Sequence, residues 1–255
     1  MKKLLKLFLM CTMVFVLAGC GGNDSSGDDS NTLVVGISPD YPPYESLDTN
    51  NNIVGFDADM VKLFEQYLSE DEGVDYKLEF KQMDFNNIVT QLQGDQIDLG
   101  ISGFTYKEDR AVEWSNPYTA TAQVAVLPKD TNIKTVSDLE GKKLAAQTGA
   151  TGEDAAKNVK NAEVVSMDDV QDIFTGLSAH QYDAAIVDLA VAKNYVDSGN
   201  FVYLDESLMD EKNYIIAKEG NTELMDKINK CIDKFLASDD YNKLCDQYGL
   251  KKLEK

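Results

Sequence analysis

A hydroxyl at Thr105 and a guanidinium at Arg110 follow a small-residue turn, Ser102-Gly103, which itself follows an apolar run from Ile97 to Ile101. Parallel α/β sheets bind ligands at the carboxyl ends of their strands. The stretch Ile101-Ser-Gly-Phe-Thr-Tyr-Lys-Glu-Asp-Arg110 is therefore expected to leave a buried strand and enter a short helix at such an end. Free N–H groups of Thr105 and Tyr106 at a helix start, the Thr105 hydroxyl and the forked Arg110 would then converge on one small carboxylate. Taken alone, the stretch fits equally well a plain strand-turn-helix with Arg110 in solvent.

The stretch has an echo 85 residues on. Residues Asp84 to Ile101 lie over Asp169 to Ile186 without a gap. The identities are Asp84/Asp169, Ile88/Ile173, Thr90/Thr175, Leu92/Leu177, Gln96/Gln181, Asp98/Asp183 and Ile101/Ile186. Each copy reads as an N-capped helix, a turn and a buried strand, which predicts two similar α/β lobes. The same register sets Gly103 over Asp188, two strand ends of which one offers bare backbone and the other a carboxylate.

The elements around these residues follow from periodicity and punctuation. A strand Leu33–Ile37 ends at Ser38-Pro-Asp-Tyr-Pro-Pro-Tyr-Glu45, where adjacent prolines fix an extended loop carrying aromatics. Asp57 opens a helix with Met60, Leu63, Phe64, Tyr67 and Leu68 on one face, and an alternating strand follows at Tyr76, Leu78 and Phe80. Past Trp114-Ser-Asn-Pro-Tyr118, the apolar strand Gln123–Leu127 marks a crossing into a second lobe. There a strand Lys143–Ala146 runs into Gln147-Thr-Gly-Ala-Thr-Gly152, a glycine-bearing loop that opens a helix from about Glu153. Such a loop suits an anion, although it lacks the Lys-Ser/Thr pair of a nucleotide loop. A helix from Leu189 to about Asp197 follows the second repeat copy, and Tyr214–Ala217 carries the chain back. An amphipathic helix with Leu224, Ile228, Ile232 and Phe235 and a last helix to Tyr248 complete the first lobe. Lobe one is thus residues 33–118 with 215–255, lobe two is residues 119–214, and two crossings form the hinge.

Of 255 residues, 43% are hydrophobic and 27% charged, a globular composition with room for one large or two modest domains. The N-terminus stands apart. Lys2, Lys3 and Lys6 precede an apolar run from Leu7 to Leu17, too short to span a bilayer and stay there, so residues 1–19 read as a signal peptide. It closes on Leu17-Ala-Gly-Cys20 ahead of a Gly/Ser/Asp-rich tether, residues 20–32, an arrangement that resembles a bacterial lipoprotein signal with Cys20 as the lipidated residue. Cleavage there removes three of 24 basic residues and no acids, leaving 21 against 44 and a formal charge of −23. Nucleic acid is an unsuitable partner for such a chain. Cys231 and Cys245, seven residues either side of Ser238, admit a disulfide or two buried thiols. The single histidine, His180, reads as a solvated turn residue, and no His/Cys cluster suggests a metal or any other cofactor.

Several of these segments together carry a resemblance. The carriers are Ser38-Pro-Asp-Tyr-Pro-Pro-Tyr-Glu45, Val54-Gly-Phe-Asp-Ala-Asp59, Met83-Asp-Phe-Asn-Asn-Ile88, Asp98-Leu-Gly-Ile-Ser-Gly-Phe-Thr105 with Arg110, Gln147-Thr-Gly-Ala-Thr-Gly152 and Tyr182-Asp-Ala-Ala-Ile-Val-Asp188. Across residues 33 to 250 the chain resembles the extracellular solute-binding proteins, family 3, that deliver polar amino acids to ABC importers. The resemblance implies an α/β, two-lobe periplasmic-binding-protein-like fold (type II) with two crossover strands as hinge. It implies that Arg110 clamps the ligand α-carboxylate with Thr105 and the N–H groups near Thr151, while Asp188 and the Gly103 carbonyl hold the α-ammonium. Tyr41 and Phe85 would sandwich the ligand side chain, with Ser38 and Gln147 near its tip. A zwitterion entering a cleft needs a partner for each charge, and Arg110 and Asp188 supply both only when the lobes close. Permease subunits of an ABC transporter are the implied protein partner, a monomer is expected, and the address is the outer face of the bacterial cytoplasmic membrane. Two departures stand out. The segment between Arg110 and Trp114 is about two residues shorter than relatives lead one to expect, and Ser38 stands where relatives selective for basic amino acids often carry Asp. The second departure favours neutral polar ligands.

Two other classes compete. The fold also hosts exported enzymes, including a cyclohexadienyl dehydratase, but catalysis needs a placed acid, base or nucleophile and none stands beside His180. A ligand-sensing module would continue into a spanning helix, and no apolar run after Ile216 is long enough. The lipid anchor makes the simplest test. Cys20→Ala should shift the protein from the membrane fraction to the soluble fraction, because acyl chains rather than a protein helix hold it. A correctly cleaved variant that stays with membranes would overturn the assignment.

Overall fold

The computed structural model describes residues 31–254, so the signal peptide, Cys20 and most of the tether lie outside the described residues. Two sheets organise the rest. The first runs in the order Lys77–Gln82, Thr32–Ile37, Leu99–Gly100, Ile216–Lys218 and Val112–Trp114, with its first three strands parallel. The second runs Glu163–Met167, Lys143–Gln147, Ala184–Asp188, Thr119–Pro128 and Phe201–Tyr203, with Met209–Asn213 also paired to Thr119–Pro128. The chain passes between the sheets from Val112–Trp114 into Thr119–Pro128, and again from Met209–Asn213 into Ile216–Lys218. These two passages make the two-lobe architecture with paired crossovers. Near its end the chain touches the hinge once more, where Lys251 bridges Ala120.

Each sheet is buried on both faces, which is why its central strands read as unbroken apolar runs. In the first lobe, Phe56, Met60, Phe64 and Leu68 of the helix Phe56–Glu72 pack with Ile228, Ile232 and Phe235 of the helix Thr222–Ala237. The helix Phe85–Gln93 covers the opposite face through Ile88 and Leu92, with Ile97, Phe104 and Ile216. In the second lobe, Ala125, Leu127, Leu144, Ala146 and Ile186 form one core layer, and the helix Val170–Ser178 brings Ile173 and Leu177 to the other face.

The repeat is a repeat of chemistry as well as of pattern. Asp98 accepts from Val34 N–H at 2.7 Å, and its counterpart Asp183 accepts from Lys143 N–H at 2.8 Å, so each carboxylate ties the start of its strand to the parallel neighbour. The turn before each is left-handed at the same register, Asp95 at φ 54° and His180 at φ 52°. The caps differ: Asp169 accepts from Gln171 and Asp172 N–H, whereas the Asp84 side chain makes no such bond.

Several expected elements change. No helix follows Thr105. The segment 101–111 is irregular, because Thr105 forms a β-bridge with Asn213 and the strand at Val112 begins before a helical turn can propagate. The paired strand is Leu99–Gly100 rather than the whole run from Ile97, and the helix after the glycine-bearing loop starts at Thr151 instead of Glu153. Cys231 and Cys245 are buried free thiols, so of the two states open to them the structure holds the unbonded one.

Candidate functional site

Arg110 is the only arginine in the chain, and its placement decides what the site can bind. The half-buried guanidinium lies 5.7 Å from the Phe85 ring, 5.1 Å from Phe104 and 5.6 Å from Trp114. Its Nη1 donates to Thr105 O at 3.1 Å in the first lobe, and its Nη2 donates to Gly149 O at 2.8 Å in the second. Burial lowers its pKa to about 10, against the opposing pull of Asp109, Asp154 and Glu211, so it keeps its charge at neutral pH. The aromatic faces and two carbonyls orient the cation without neutralising it.

Beside it, the Thr105 and Thr151 hydroxyls meet across the cleft at 2.6 Å. Thr151 also donates to Glu211 Oε2 at 2.9 Å. Thr151 opens its helix, and the next residue must be small, because a Cβ on Gly152 would stand 2.8 Å from Gln123 Oε1 and 2.9 Å from Ile186 O. Hydroxyls, guanidinium and a helix start therefore share one corner, which is suited to an anion.

The second corner is anionic. Asp188, at the end of its strand and almost fully buried, accepts from Gln123 Nε2 through Oδ1 and from Asn213 Nδ2 through Oδ2 at 3.4 Å. The same Asn213 Nδ2 donates to Gly103 O at 3.0 Å. The two strand ends that the repeat aligns are thus joined by one amide. Burial and then the charge of Glu211 raise the Asp188 pKa to about 7. A cation at this place would relieve both effects.

The third group lies at Ser38 and Gln147. Both donate to Asp40: Ser38 Oγ to Oδ1 at 2.8 Å, and Gln147 Nε2 to Oδ2 at 3.1 Å. Val170 N–H, opening a helix of the second lobe, adds a bond to the same oxygen at 2.8 Å. Burial raises the Asp40 pKa to about 6. Tyr41 stacks on Tyr44 at 5.9 Å and its hydroxyl accepts Asp188 N–H at 2.9 Å, while Phe85 stacks on Phe104 at 4.5 Å.

Asp40, Gln123, Glu211 and Asn213 take part in this network without having been singled out from the sequence. A polar residue heading an apolar strand was the available signal for Gln123, which is 2% exposed. Glu211 and Asn213 alternate on Met209–Asn213, a strand too polar to be read as one. Among the described residues, no group of three or more His, Cys, Asp or Glu side chains is placed to hold a metal ion.

The chain's relatives agree with this architecture. A sequence profile of bacterial extracellular solute-binding proteins, family 3, matches residues 33–251. The arginine-binding extracellular protein ArtP of Bacillus subtilis is 31% identical, over 96% of either chain. A solved ancestral arginine-binding protein bound to arginine is 34% identical with a TM-score of 0.78, covering 86% of this chain and 98% of that one. An ancestral amino acid-binding protein described as a precursor of cyclohexadienyl dehydratase is 28% identical with a TM-score of 0.78, covering 86% and 96%.

A pH dependence follows from Asp188. Its pKa is about 7 in the fold and ~3.9 in an unfolded chain. Between these values the folded form binds more protons, so the stability that Asp188 contributes is full below about pH 4 and is lost as pH rises to about 7. The ligand-free protein should melt at a lower temperature at pH 8 than at pH 5, and Asp188→Asn should flatten that slope. A slope in the variant equal to the parent's would rule out Asp188 as its source.

Proposed function

The chain belongs to the bacterial extracellular solute-binding proteins, family 3, and from that premise we propose that it binds a polar amino acid between its lobes and delivers it to an ABC transporter permease. The observation that carries the reading is the pairing of opposite corners: one guanidinium with two hydroxyls, and one buried carboxylate with a backbone carbonyl. An α-amino acid presents these charges in the complementary order on one carbon. Its carboxylate takes Arg110, Thr105 and the N-terminus at Thr151, and its ammonium takes Asp188 and Gly103 O. The lobes are assigned as residues 33–118 with 215–255 and residues 119–214, and Cys20 is assigned as the lipid anchor that keeps the receptor beside its permease.

Asp40 refines the ligand. Ser38 alone favours a neutral side chain, yet its hydroxyl donates to a buried carboxylate two residues on. That carboxylate sits at an opening of about 300 Å³ also lined by Asp84, Asp168 and Asp169, with no lysine or arginine in the lining. Such an opening favours a guanidinium or ammonium tip over a carbamoyl group. The preferred ligand is therefore a cationic amino acid of the arginine type, the class named for two of the relatives above. A catalytic alternative finds little support, since His180 is an exposed turn residue.

Arg110→Ala should weaken binding by about a hundredfold to several thousandfold, since removing one side of a desolvated charge pair costs ~3–5 kcal/mol. Calorimetry that finds the variant within about threefold of the parent rules out the clamp. Asp40→Asn should lower the affinity for L-arginine by about tenfold or more while changing that for L-glutamine by no more than about threefold. Equal losses for the two ligands would return Asp40 to a purely lobe-closing role.

A further inference from the structure

Beneath the Ser102-Gly103 turn lie two carboxyl groups outside the proposed ligand contacts. Glu45, on the strand Glu45–Leu47, and Asp57, in the first turn of the helix Phe56–Glu72, are both 0% exposed. Glu45 Oε1 accepts from Ser102 Oγ at 2.8 Å, and Ser102 Oγ accepts from Ser38 N–H at 3.1 Å. Asp57 Oδ2 accepts from Gly103 N–H at 3.1 Å and from Tyr118 Oη at 3.2 Å. The two remaining oxygens, Glu45 Oε2 and Asp57 Oδ1, have no donor. They belong to carboxyl groups close enough to hydrogen-bond with each other.

Two buried carboxyl groups within hydrogen-bonding reach of each other, each with an oxygen that no donor meets and with no cation to compensate, are stable only if they share a proton. The groups facing the pair offer no cation: Asp40 acts on Glu45, Tyr44 and Tyr118 flank both acids, and Asp188 lies beyond Tyr44. The proton belongs to Glu45. Asp57 already accepts two bonds that favour its charge, whereas burial and the Asp57 charge push Glu45 well above the usual carboxyl range. The backbone fixes the approach of the two segments. Asp57 N–H donates to Tyr44 O at 2.9 Å, and Gly55, at φ 130°, passes so close that a Cβ would stand 2.3 Å from the same oxygen.

We propose that Glu45 is a positioning residue of the amino-acid site: its carboxyl group donates a retained proton to Asp57, and the resulting link holds the Ser38 loop and the Gly103 turn in binding register. The proposal rests on reading Gly103 and Ser38 as parts of that site. Through Ser102 the link reaches Ser38 N–H, and through Asp57 it fixes Gly103, left-handed at φ 57°, whose carbonyl faces the ammonium position. Glu45→Gln preserves every bond, because the amide oxygen accepts from Ser102 and the amide N–H donates to Asp57, yet it has no proton to lose. Glu45→Ala leaves the Asp57 carboxylate without the Glu45 proton and the Ser102 O–H without its acceptor, although Ser102 Oγ still accepts from Ser38 N–H.

The test uses the full-length protein in detergent, labelled with carbon-13 at glutamate carboxyls. One carboxyl resonance should hold its protonated position at pH 7 and disappear in Glu45→Gln. If that variant removes only an ionised resonance, the proposal is wrong. Calorimetry with L-arginine and L-glutamine from pH 7 to 9.5 gives the second readout. At pH 7 the Gln variant should bind within about threefold of the parent and the Ala variant about tenfold or more weakly. As pH rises, the parent should weaken relative to the Gln variant. The ligand amine and Arg110 titrate alike in both and cancel in the ratio, and burial keeps Tyr44 and Tyr118 protonated over this range. An Ala variant that binds like the parent, or a constant parent-to-Gln ratio, overturns the positioning role. Should the Ala variant fail to fold, that ratio and the carbon-13 spectrum still decide. If neither amino acid binds the parent, the amino-acid reading falls, while the carbon-13 result still settles where the proton resides.

Discussion

A guanidinium drawn partly out of water and given carbonyls, rather than a carboxylate, as partners is the constraint on which this structure turns. Arg110 bonds Thr105 O in one lobe and Gly149 O in the other, and among the described residues no carboxylate comes within ion-pair distance of it. A partly buried cation without a direct ion-pair partner costs free energy unless aromatic faces and dipoles surround it. Phe85, Phe104 and Trp114 come from a helix start, an irregular segment and an edge strand, so three separate parts of the first lobe are committed to holding one side chain. The charge remains available, and an anion is what completes it.

The opposite sign is held by an equally extensive arrangement. Asp188 occupies the second lobe at the position corresponding to Gly103 in the first, and Asn213 on the crossover strand joins them. Placing that amide on the hinge has a mechanical consequence. Any change of angle between the lobes moves Asn213 relative to at least one of its acceptors, so the anionic corner and the hinge are geometrically coupled. Tyr44 and Thr119 also donate to Asn213 Oδ1, at 3.1 and 2.8 Å, which fixes the amide's orientation.

The repeat made the fold legible. Seven identities at a fixed offset of 85 residues carry the helix-turn-strand unit, and the structure shows the paired acids Asp98 and Asp183 making the same bond in each lobe. Long apolar strands and the amphipathic helix Thr222–Ala237 were readable because their partners are local or periodic. What escaped was set by tertiary pairing. The segment after Thr105 has the residues of a helix start but is pulled into a bridge with Asn213, 108 residues away in sequence. Asp40 looked like a loop acid until the opposite lobe supplied Val170 N–H and Gln147 to its carboxylate. Contacts between distant polar residues leave no periodic trace, and polar contacts are the substance of this site.

The bonds between the lobes are themselves informative about binding. Thr105 meets Thr151, Tyr41 meets Asp188 N–H, Gln147 meets Asp40, and Arg110 meets Gly149 O. Each is a polar bond made by a group assigned above to the ligand or adjoining one that is. A ligand that enters must therefore replace bonds as well as form them, and its net gain comes from the charges that the protein's own groups leave uncompensated. A neutral hydroxyl cannot complete Arg110, and an amide cannot complete Asp188, but an α-amino acid completes both at once. On the proposed reading, closure and selectivity have one origin. The closed form is favoured by the ligand because only there do both charges find their partners, and a molecule carrying just one of them gives little differential affinity between open and closed states.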